Sequence, residues 1–200
     1  MLVIKRRSKA VPISGRSAPT ASTVPRCIFV DRDGTLIEEK HHLHDPAQVV
    51  LLPNTIAGLQ LLQQRGCGLV VVTNQAGIGR GYYTEDDMHA CNHRMCELLE
   101  IGGVTLDGIY FCPHAPHQAC ACRKPKPGMA LQAAQELGIE LAGSWVIGDK
   151  ALDVNLATAI GGRGILVRTG YGLDEQTACS PHAIADDVLD AARIIIGLCQ

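Results

Sequence analysis

Short apolar segments that alternate with helix-forming segments are the feature of this sequence that most restricts its fold. Each apolar segment is four to seven residues long, which is typical of strands buried on both faces of a sheet. The predicted strands cover 27–31, 68–74, 108–111, 144–149 and 164–167. Helices are predicted to begin at Pro53, Thr84, Pro127, Ala151 and Ser180-Pro181, with Thr84 and Asp87 spaced as a capping box. Five strands separated by helices predict an α/β fold with a doubly wound, Rossmann-like parallel sheet.

The chain is predicted to form one domain preceded by a tail. Two hundred residues suit a single domain. Residues 1–25 hold five basic side chains and no acidic one, and residues 14–25 are mostly small or polar, with prolines. We therefore predict a flexible basic tail at 1–25 and a single domain at 26–200.

Composition argues against several classes of function. No segment approaches the roughly eighteen consecutive apolar residues of a membrane-spanning helix. No apolar segment of a secretory signal follows the opening MLVIKRR. The formal net charge is −2 and aromatic residues make up 4%, which argues against a basic, aromatic-rich surface for nucleic acid. We expect the protein to bind a small molecule and to bind neither nucleic acid nor a membrane.

Polar and charged residues follow the predicted strands, where a parallel sheet places its carboxyl ends. The sequence Asp31-Arg32-Asp33-Gly34-Thr35 follows the first strand, Thr73-Asn74 ends the second, and Gly148-Asp149 ends the fourth. Arg123-Lys124-Pro125 lies between the third strand and the next helix. Ligands of such sheets bind beyond the carboxyl ends, so carboxylates, a hydroxyl and a cation should converge there. This combination predicts a phosphoryl-transfer site.

Each of these residue types has a part in hydrolysing a phosphate monoester. Asp31 is the predicted nucleophile, because a carboxylate is ionised at neutral pH without a base. Asp33 is the predicted general acid and base, with a pKa raised by the neighbouring carboxylates. Thr73 and Lys124 are predicted to stabilise the phosphoryl oxygens. Catalytic Mg²⁺ requires oxygen ligands, and the candidates are Asp31, the Asp33 carbonyl and Asp149, with Lys150 adjacent.

The order of the motifs distinguishes a catalytic site from a chance pattern. A lone D-x-D is common in turns and helix caps and carries little weight by itself. A strand followed by DxDGT, a strand ending in TNQ, a later Lys-Pro and a strand ending in GDxxxD are much harder to obtain by chance in this order. Asp153, the last residue of that set, is predicted to support a metal ligand or Lys150.

A cluster of cysteines and one histidine predicts a second metal site. The chain has nine cysteines, an odd number that argues against a fully paired disulfide framework. Cys112, His114, Cys120 and Cys122 lie within eleven residues, and three thiolates with one imidazole suit a closed, structural zinc site. The basic residues 123–124 follow directly, so the zinc would aim both at the phosphate. The alternative to a zinc site is that these four residues are unconnected residues of a loop. The other six cysteines are interpreted as small buried apolar residues, and metal thiolates favour a reducing, cytoplasmic compartment.

The motifs together resemble the haloacid dehalogenase (HAD) superfamily of phosphatases over residues 27–172. The segments that carry the resemblance are FVDRDGT (29–35), VVTNQAGIGRGY (71–82), YFCPH (110–114), CACRKPKPGM (120–129) and VIGDKALD (146–153). Within the superfamily, the chain resembles the heptose-bisphosphate phosphatases, which carry the zinc loop, and the neighbouring histidinol-phosphate phosphatases. The resemblance implies an aspartyl-phosphate on Asp31, the roles given above for the other site residues, and substrate recognition by Arg123.

One segment departs from the heptose-phosphatase pattern. Those enzymes typically present a Gly-Tyr pair after the DxDGT loop, whereas this chain has His41-His42. The two histidines are either solvated loop residues or residues that alter recognition of the sugar. The predicted substrate-binding residues are Arg32, Glu39, Lys40, His41, His42, Asn74, Gln75, Ala76, Arg123 and Lys150.

The connections are too short for the cap domain that many HAD enzymes carry. About twenty residues separate Gly34 from Pro53, and one helix is expected between the second and third strands. The site is therefore predicted to be capless and open, and a mutase is disfavoured because it would need closure.

Three functions remain. The first is an Mg²⁺-dependent phosphatase that removes the 7-phosphate of D-glycero-D-manno-heptose 1,7-bisphosphate, in the synthesis of nucleotide-activated heptose for surface polysaccharide. The second is a histidinol-phosphate phosphatase. The third, a nucleic-acid 3′-end phosphatase, is disfavoured because residues 26–200 hold 13 basic against 20 acidic side chains. A monomer or weak homo-oligomer is expected.

Overall fold

Six parallel strands form one sheet in the computed structural model, which describes residues 27–198. The strands are β1 (Cys27–Val30), β2 (Gly68–Asn74), β3 (Gly108–Cys112), β4 (Trp145–Gly148), β5 (Arg163–Val167) and β6 (Ala183–Ala185). Their order is β3-β2-β1-β4-β5-β6, so the chain winds outward from β1 in both directions. This order confirms the predicted doubly wound α/β fold. The predicted tail at 1–25 and Cys199 lie outside the described residues, and the domain boundary at residue 26 stays a prediction.

Helices cover both faces of the sheet. Within residues 27–198 they are α1 (Thr55–Gln64), α2 (Ala76–Gly79), α3 (Glu85–Ile101), α4 (Gly128–Leu137), α5 (Ala151–Ala159), α6 (Gly172–Glu175) and α7 (Val188–Gly197). Side chains of α1, α3 and α7 form one core layer with the sheet, and side chains of α4 and α5 form the other. Because side chains alternate along a strand, Ile28 and Val30 of β1 belong to the first layer and Phe29 to the second. The buried sheet thereby holds its strand ends in fixed positions.

The helix signals locate most helix starts. Before α3, the Thr84 hydroxyl accepts a hydrogen bond from Asp87 N–H while the Asp87 carboxylate accepts one from Thr84 N–H. This is the predicted capping box, and it is confirmed. α1 begins at Thr55, two residues after the proline predicted to open it. The connection from β2 to β3 holds the short helix α2 in addition to the one helix expected there.

The prediction for the last helix is wrong. Ser180-Pro181 does not cap it, because the chain continues into β6, where Ala185 pairs with Val167 of β5. The N-cap of α7 is Asp187, whose carboxylate accepts a hydrogen bond from Asp190 N–H. A strand of three residues is too short to show a periodic pattern, so this edge of the sheet was missed.

A loop joins β1 to α1 at the edge of the sheet where the polar residues lie. It contains a 3-10 turn at Pro46–Gln48 and an antiparallel bridge between Ile37 and Leu51, which folds the loop back on itself. The described connections hold no folded cap domain. None of the described helices has the length and apolar character needed to cross a bilayer.

Candidate active site

The predicted site residues surround a cavity of about 340 Å³ at the carboxyl edge of the sheet. Asp31 directly follows β1, Thr73 lies in β2, and Lys124 lies in the segment before α4. The predicted residues that line the cavity are Asp31, Arg32, Asp33, Glu39, His41, His42, Thr73, Asn74, Gln75, Ala76, Arg123, Lys124 and Lys150. Lys40 does not line the cavity. Its Nζ pairs with Glu38 Oε2 at 3.1 Å instead.

Three buried carboxylates lie together at this edge. Each of Asp31, Asp149 and Asp153 offers a carboxylate oxygen, and these oxygens lie within 4.8 Å of one another. Asp149 Oδ1 is buried and has no hydrogen-bond partner among the described residues. Burial, followed by the charge of Asp31, raises the pKa of Asp149 to about 7. Crowded oxygens with one left unpartnered fit a hard divalent cation such as Mg²⁺, which would relieve their repulsion.

Two glycines let the loops after β1 and β5 approach Asp149. Gly34 and Gly170 have φ values of 78° and 53°, and a Cβ on either would lie 2.3 Å from Asp149 Oδ2. Tyr171 N–H donates to the same oxygen at 2.9 Å, and Thr169 Oγ1 donates to the Gly34 carbonyl at 2.6 Å. Only glycine fits at these two positions, so the loops enclose the carboxylate.

Lys124 is placed beside the predicted nucleophile. Its Nζ lies 2.8 Å from Asp31 Oδ1 and 2.7 Å from Asp153 Oδ1, and it donates to the Val72 carbonyl at 2.8 Å. Burial disfavours the charge of this lysine, but the two carboxylates outweigh burial and raise its pKa. Asn74, predicted to bind substrate, lines the cavity and also holds the Lys124 backbone. Its Oδ1 accepts from Lys124 N–H at 3.0 Å, and its Nδ2 donates to the Lys124 carbonyl at 3.3 Å.

Arg32 and Gln75 fix the carboxylate of Asp33. Arg32 donates from Nε to Asp33 Oδ2 at 3.1 Å and from Nη2 to Oδ1 at 3.0 Å, while its Nη1 donates to Asn92 Oδ1 at 2.8 Å. Gln75 Nε2 donates to Asp33 Oδ2 at 2.9 Å and to Thr73 Oγ1 at 2.8 Å. Arg32 lines the cavity but is only 1% exposed, and its guanidinium supports Asp33. Its predicted contact with substrate stays a prediction.

The prediction of a raised pKa for Asp33 is wrong. Burial does disfavour the ionised form of this carboxyl. The charge of Arg32 and the hydrogen bonds from Arg32 and Gln75 outweigh burial and hold the pKa below its usual range. The pKa of Asp153 shifts in the opposite direction to that of Asp33, because burial raises it to about 6 despite the nearby Lys124.

Asp153 supports Lys150, which is one of the two roles predicted for it. Its Oδ2 accepts a hydrogen bond from Lys150 N–H at 3.1 Å, at the start of α5. Lys150 Nζ lies 3.3 Å from Glu39 Oε2, and Lys150 lines the cavity.

The four predicted zinc ligands converge. Cys112 Sγ lies 3.8 Å from Cys120 Sγ and 3.6 Å from His114 Nδ1, and Cys122 Sγ lies 3.3 Å from the same nitrogen. A tetrahedral zinc ion with bonds of about 2.3 Å to sulfur and about 2.05 Å to nitrogen separates two sulfurs by about 3.8 Å and sulfur from nitrogen by about 3.6 Å. The cluster therefore has the dimensions of a closed metal site. Its last ligand precedes Arg123, whose Nη1 donates to the His114 carbonyl at 3.3 Å.

Besides Leu43 and Leu152, which line the cavity, sequence reasoning missed three polar residues that contact the site. Tyr83 donates from its hydroxyl to Gln75 Oε1 at 2.6 Å, Asn92 accepts from Arg32, and Tyr171 lines the cavity. A signal existed for Tyr171, because it lies after β5, a predicted strand whose carboxyl end was not searched for site residues. No local pattern marks Tyr83 or Asn92, which reach the site from α3 and the loop before it.

Comparisons with known proteins agree with this geometry. A family model described as HAD-hydrolase-like matches residues 121–191. The D-glycero-beta-D-manno-heptose-1,7-bisphosphate 7-phosphatase of Pasteurella multocida is 39% identical over 185 residues, which cover 86% of this chain and 98% of the relative. The enzyme of the same name from Yersinia pestis is 41% identical over 84% of this chain and 94% of its own.

Solved structures are similar as well. The D,D-heptose 1,7-bisphosphate phosphatase from B. bronchiseptica, complexed with magnesium and phosphate, has a TM-score of 0.80 and 29% identity, and the match covers 86% of this chain and 99% of that one. The corresponding phosphatase from Burkholderia thailandensis has a TM-score of 0.67 and 26% identity, over 86% of this chain and 98% of that one. Since near-complete relatives at 39% and 41% identity share one name, the chain belongs to the D-glycero-beta-D-manno-heptose-1,7-bisphosphate 7-phosphatase family of HAD phosphatases.

Proposed function

We propose that this enzyme removes the 7-phosphate of D-glycero-D-manno-heptose 1,7-bisphosphate, in the synthesis of nucleotide-activated heptose for surface polysaccharide. The observation that carries the proposal is one cavity that holds a buried nucleophile and two further cationic side chains. Asp31, paired with Lys124, opens onto the same 340 Å³ space as Arg123 and Lys150. Two cations beyond the reacting carboxylate suit a substrate with a second anionic group. The relatives from Pasteurella multocida and Yersinia pestis carry this activity in their names.

The first half-reaction transfers the phosphoryl group to the protein. An Asp31 carboxylate oxygen attacks phosphorus, the ester P–O bond breaks, and its electron pair stays on the sugar oxygen. Asp33, in its protonated form, supplies the proton that this oxygen takes up and is left ionised. Thr73 and Lys124 stabilise the charge on the equatorial phosphoryl oxygens, and Lys124 is fixed for that purpose by its 2.8 Å contact with Asp31.

The second half-reaction hydrolyses the aspartyl-phosphate. Asp33 removes a proton from water, the water oxygen attacks phosphorus, and the Asp31–phosphorus bond breaks to release phosphate. Arg32 and Gln75 stabilise the ionised form that Asp33 takes once it has given up its proton, which is the form this step requires. The same contacts fix the direction of its carboxylate. The proton taken from water returns Asp33 to the form that the first half-reaction uses.

Two metal ions complete the proposal. Asp31, the Asp33 carbonyl and Asp149 would hold Mg²⁺, which when bound masks the repulsion between the substrate phosphate and the carboxylates. The unpartnered Asp149 Oδ1 supports this assignment. Zn²⁺ on Cys112, His114, Cys120 and Cys122 would be structural, because four protein ligands leave no open position.

Histidinol phosphate is the second candidate substrate. It has no second phosphate, and its amine would be repelled by Arg123 and Lys150, so the cavity favours the sugar bisphosphate. A 3′-phosphorylated nucleic acid is the third candidate, disfavoured by the acidic composition of the chain.

A phosphate-release panel tests the assignment. It compares both anomers of the heptose bisphosphate with histidinol phosphate, fructose 1,6-bisphosphate and a 3′-phosphorylated oligonucleotide, each with Mg²⁺. The heptose bisphosphate should give the highest kcat/KM, and a preference for any other member would overturn the proposal. The same preparation, run by size-exclusion chromatography with light scattering, tests the expected monomer or weak homo-oligomer. A cytoplasmic location agrees with the described cysteines, none of which forms a disulfide.

A further inference from the structure

Four residues separate the active-site cavity from a second cavity of about 420 Å³. Glu39, His41 and Tyr171 line both cavities, and Lys150 lines the first. The four residues come from the loops that follow β1, β4 and β5. We call them the side wall.

The side wall is a closed ring of contacts. A hydrogen bond of 2.9 Å joins Tyr171 Oη to His41 Nδ1, and His41 N–H donates to Glu39 Oε1 at 2.9 Å. Glu39 Oε2 lies 3.3 Å from Lys150 Nζ, which in turn lies 4.4 Å from the centre of the Tyr171 ring, within the range of a cation–π contact. Each residue is held by two others, so the ring favours one arrangement of the wall.

The backbone at His41 shows that the position of this imidazole is maintained against strain. His41 has a φ of 44° and His42 a φ of 71°, both in the left-handed region that disfavours residues with a Cβ. His41 is exposed, so core packing does not impose this conformation. The contacts with Glu39 and Tyr171 are the restraints that the structure provides.

We propose that the Tyr171–His41 pair determines substrate specificity, by closing the cavity beside the non-reacting part of the sugar and by offering hydrogen bonds to its hydroxyl groups. The inference rests on the proposed function. No cap domain in the described chain covers the cavity, so selectivity has to come from its walls. With Nδ1 bonded to the phenol, His41 Nε2 and the second lone pair of Tyr171 Oη stay free for hydroxyls.

The test is a double-mutant cycle on this pair. Tyr171→Phe removes the hydroxyl and keeps the ring over Lys150, and His41→Gly removes the imidazole and suits the left-handed backbone. The readout is the ratio of kcat/KM for heptose bisphosphate to kcat/KM for p-nitrophenyl phosphate, which has no sugar hydroxyls. Tyr82→Phe is the matched control, because Tyr82 is 58% exposed and does not line the cavity. Thermal unfolding confirms that each variant is folded.

Each single variant should lower the ratio about 2- to 13-fold, the equivalent of one hydrogen bond, and the control should not change it. The double variant should lose no more than the larger single loss, because the two residues act as one unit. Equal losses on both substrates, an unchanged ratio or additive losses would overturn the inference. If the wild-type enzyme prefers another sugar phosphate, the proposed function fails, and the same cycle with that substrate still decides on the side wall.

Discussion

Replacing Tyr83 by phenylalanine isolates one hydrogen bond that supports the catalytic carboxylate from a distance. The Tyr83 hydroxyl donates to Gln75 Oε1 at 2.6 Å, and Gln75 Nε2 donates to Asp33 and Thr73. Burial raises the pKa of Tyr83 to about 12, so the hydroxyl keeps the proton that it donates across the range of a normal assay. Gln75 is 3% exposed, so water does not replace the lost donor easily.

The expected magnitude follows from leaving a buried carbonyl oxygen without its donor. That costs about 1–3 kcal/mol, or about 2–12 °C in the unfolding midpoint of a chain of this size. The oxygen that loses its donor belongs to the Gln75 amide, whose nitrogen donates to Asp33, so the orientation of Asp33 is disturbed as well. Since about 1.4 kcal/mol is a factor of ten in rate, we expect kcat to fall about tenfold, with KM changed less than about twofold.

The assay is steady-state phosphate release beside a thermal unfolding curve, and Tyr110→Phe is the matched control. Tyr110 is 1% exposed and its hydroxyl contacts Glu136 Oε2 at 3.3 Å, away from the site. The control should change stability and leave kcat unchanged. An unchanged kcat in Tyr83→Phe would refute the idea that Tyr83 positions Asp33, and so would an equal loss of kcat in both variants.

Three further substitutions test the site. Asp31→Asn should abolish Mg²⁺-dependent turnover with the unfolding midpoint retained, because the amide cannot form the acyl-phosphate; turnover at the wild-type rate would contradict the mechanism. Cys120→Ala should lower the zinc content from about one per chain, lower stability by several kcal/mol and slow catalysis, because Lys124 is displaced. Mild EDTA should stop turnover of the wild-type enzyme reversibly and leave its zinc bound. Elemental analysis of the variant and of the EDTA-treated wild-type enzyme checks both expectations. Arg123→Ala should lower kcat/KM about tenfold or more for heptose bisphosphate and much less for a small phosphate ester, and equal losses would place Arg123 in the general phosphate clamp.

The strand ends made much of the site predictable from sequence. Parallel strands bring their carboxyl ends to one edge, so Asp31, Thr73 and Asp149 had to lie near one another once the strands were located. The convergence of the predicted zinc ligands was predictable for a different reason: Cys112, His114, Cys120 and Cys122 are close in sequence, and short spacings bring them together without help from distant elements.

The direction of individual side chains was not predictable in the same way. Arg32 and Asn74 lie in the motifs, but one turns inward to Asp33 and Asn92 and the other holds the Lys124 backbone. Both choices depend on partners about 50 or 60 residues away, which no local pattern records. The low pKa of Asp33 was missed for a related cause. Arg32 is adjacent in sequence, but Asn92 holds its guanidinium in place, and the second donor to Asp33 is the distant Gln75.

The distribution of charge explains why this edge of the sheet is suited to a divalent cation. Arg32 pairs with Asp33, and Lys124 is shared between Asp31 and Asp153. Among the described residues, Asp149 has no ion-pair partner, and one of its oxygens accepts no hydrogen bond, although the side chain is fully buried. An unpaired buried carboxylate is costly, and the fold maintains it with two glycines that leave room for nothing larger. The protein is therefore built with a deficit of positive charge at the point where the substrate brings more negative charge, and a bound Mg²⁺ would correct both.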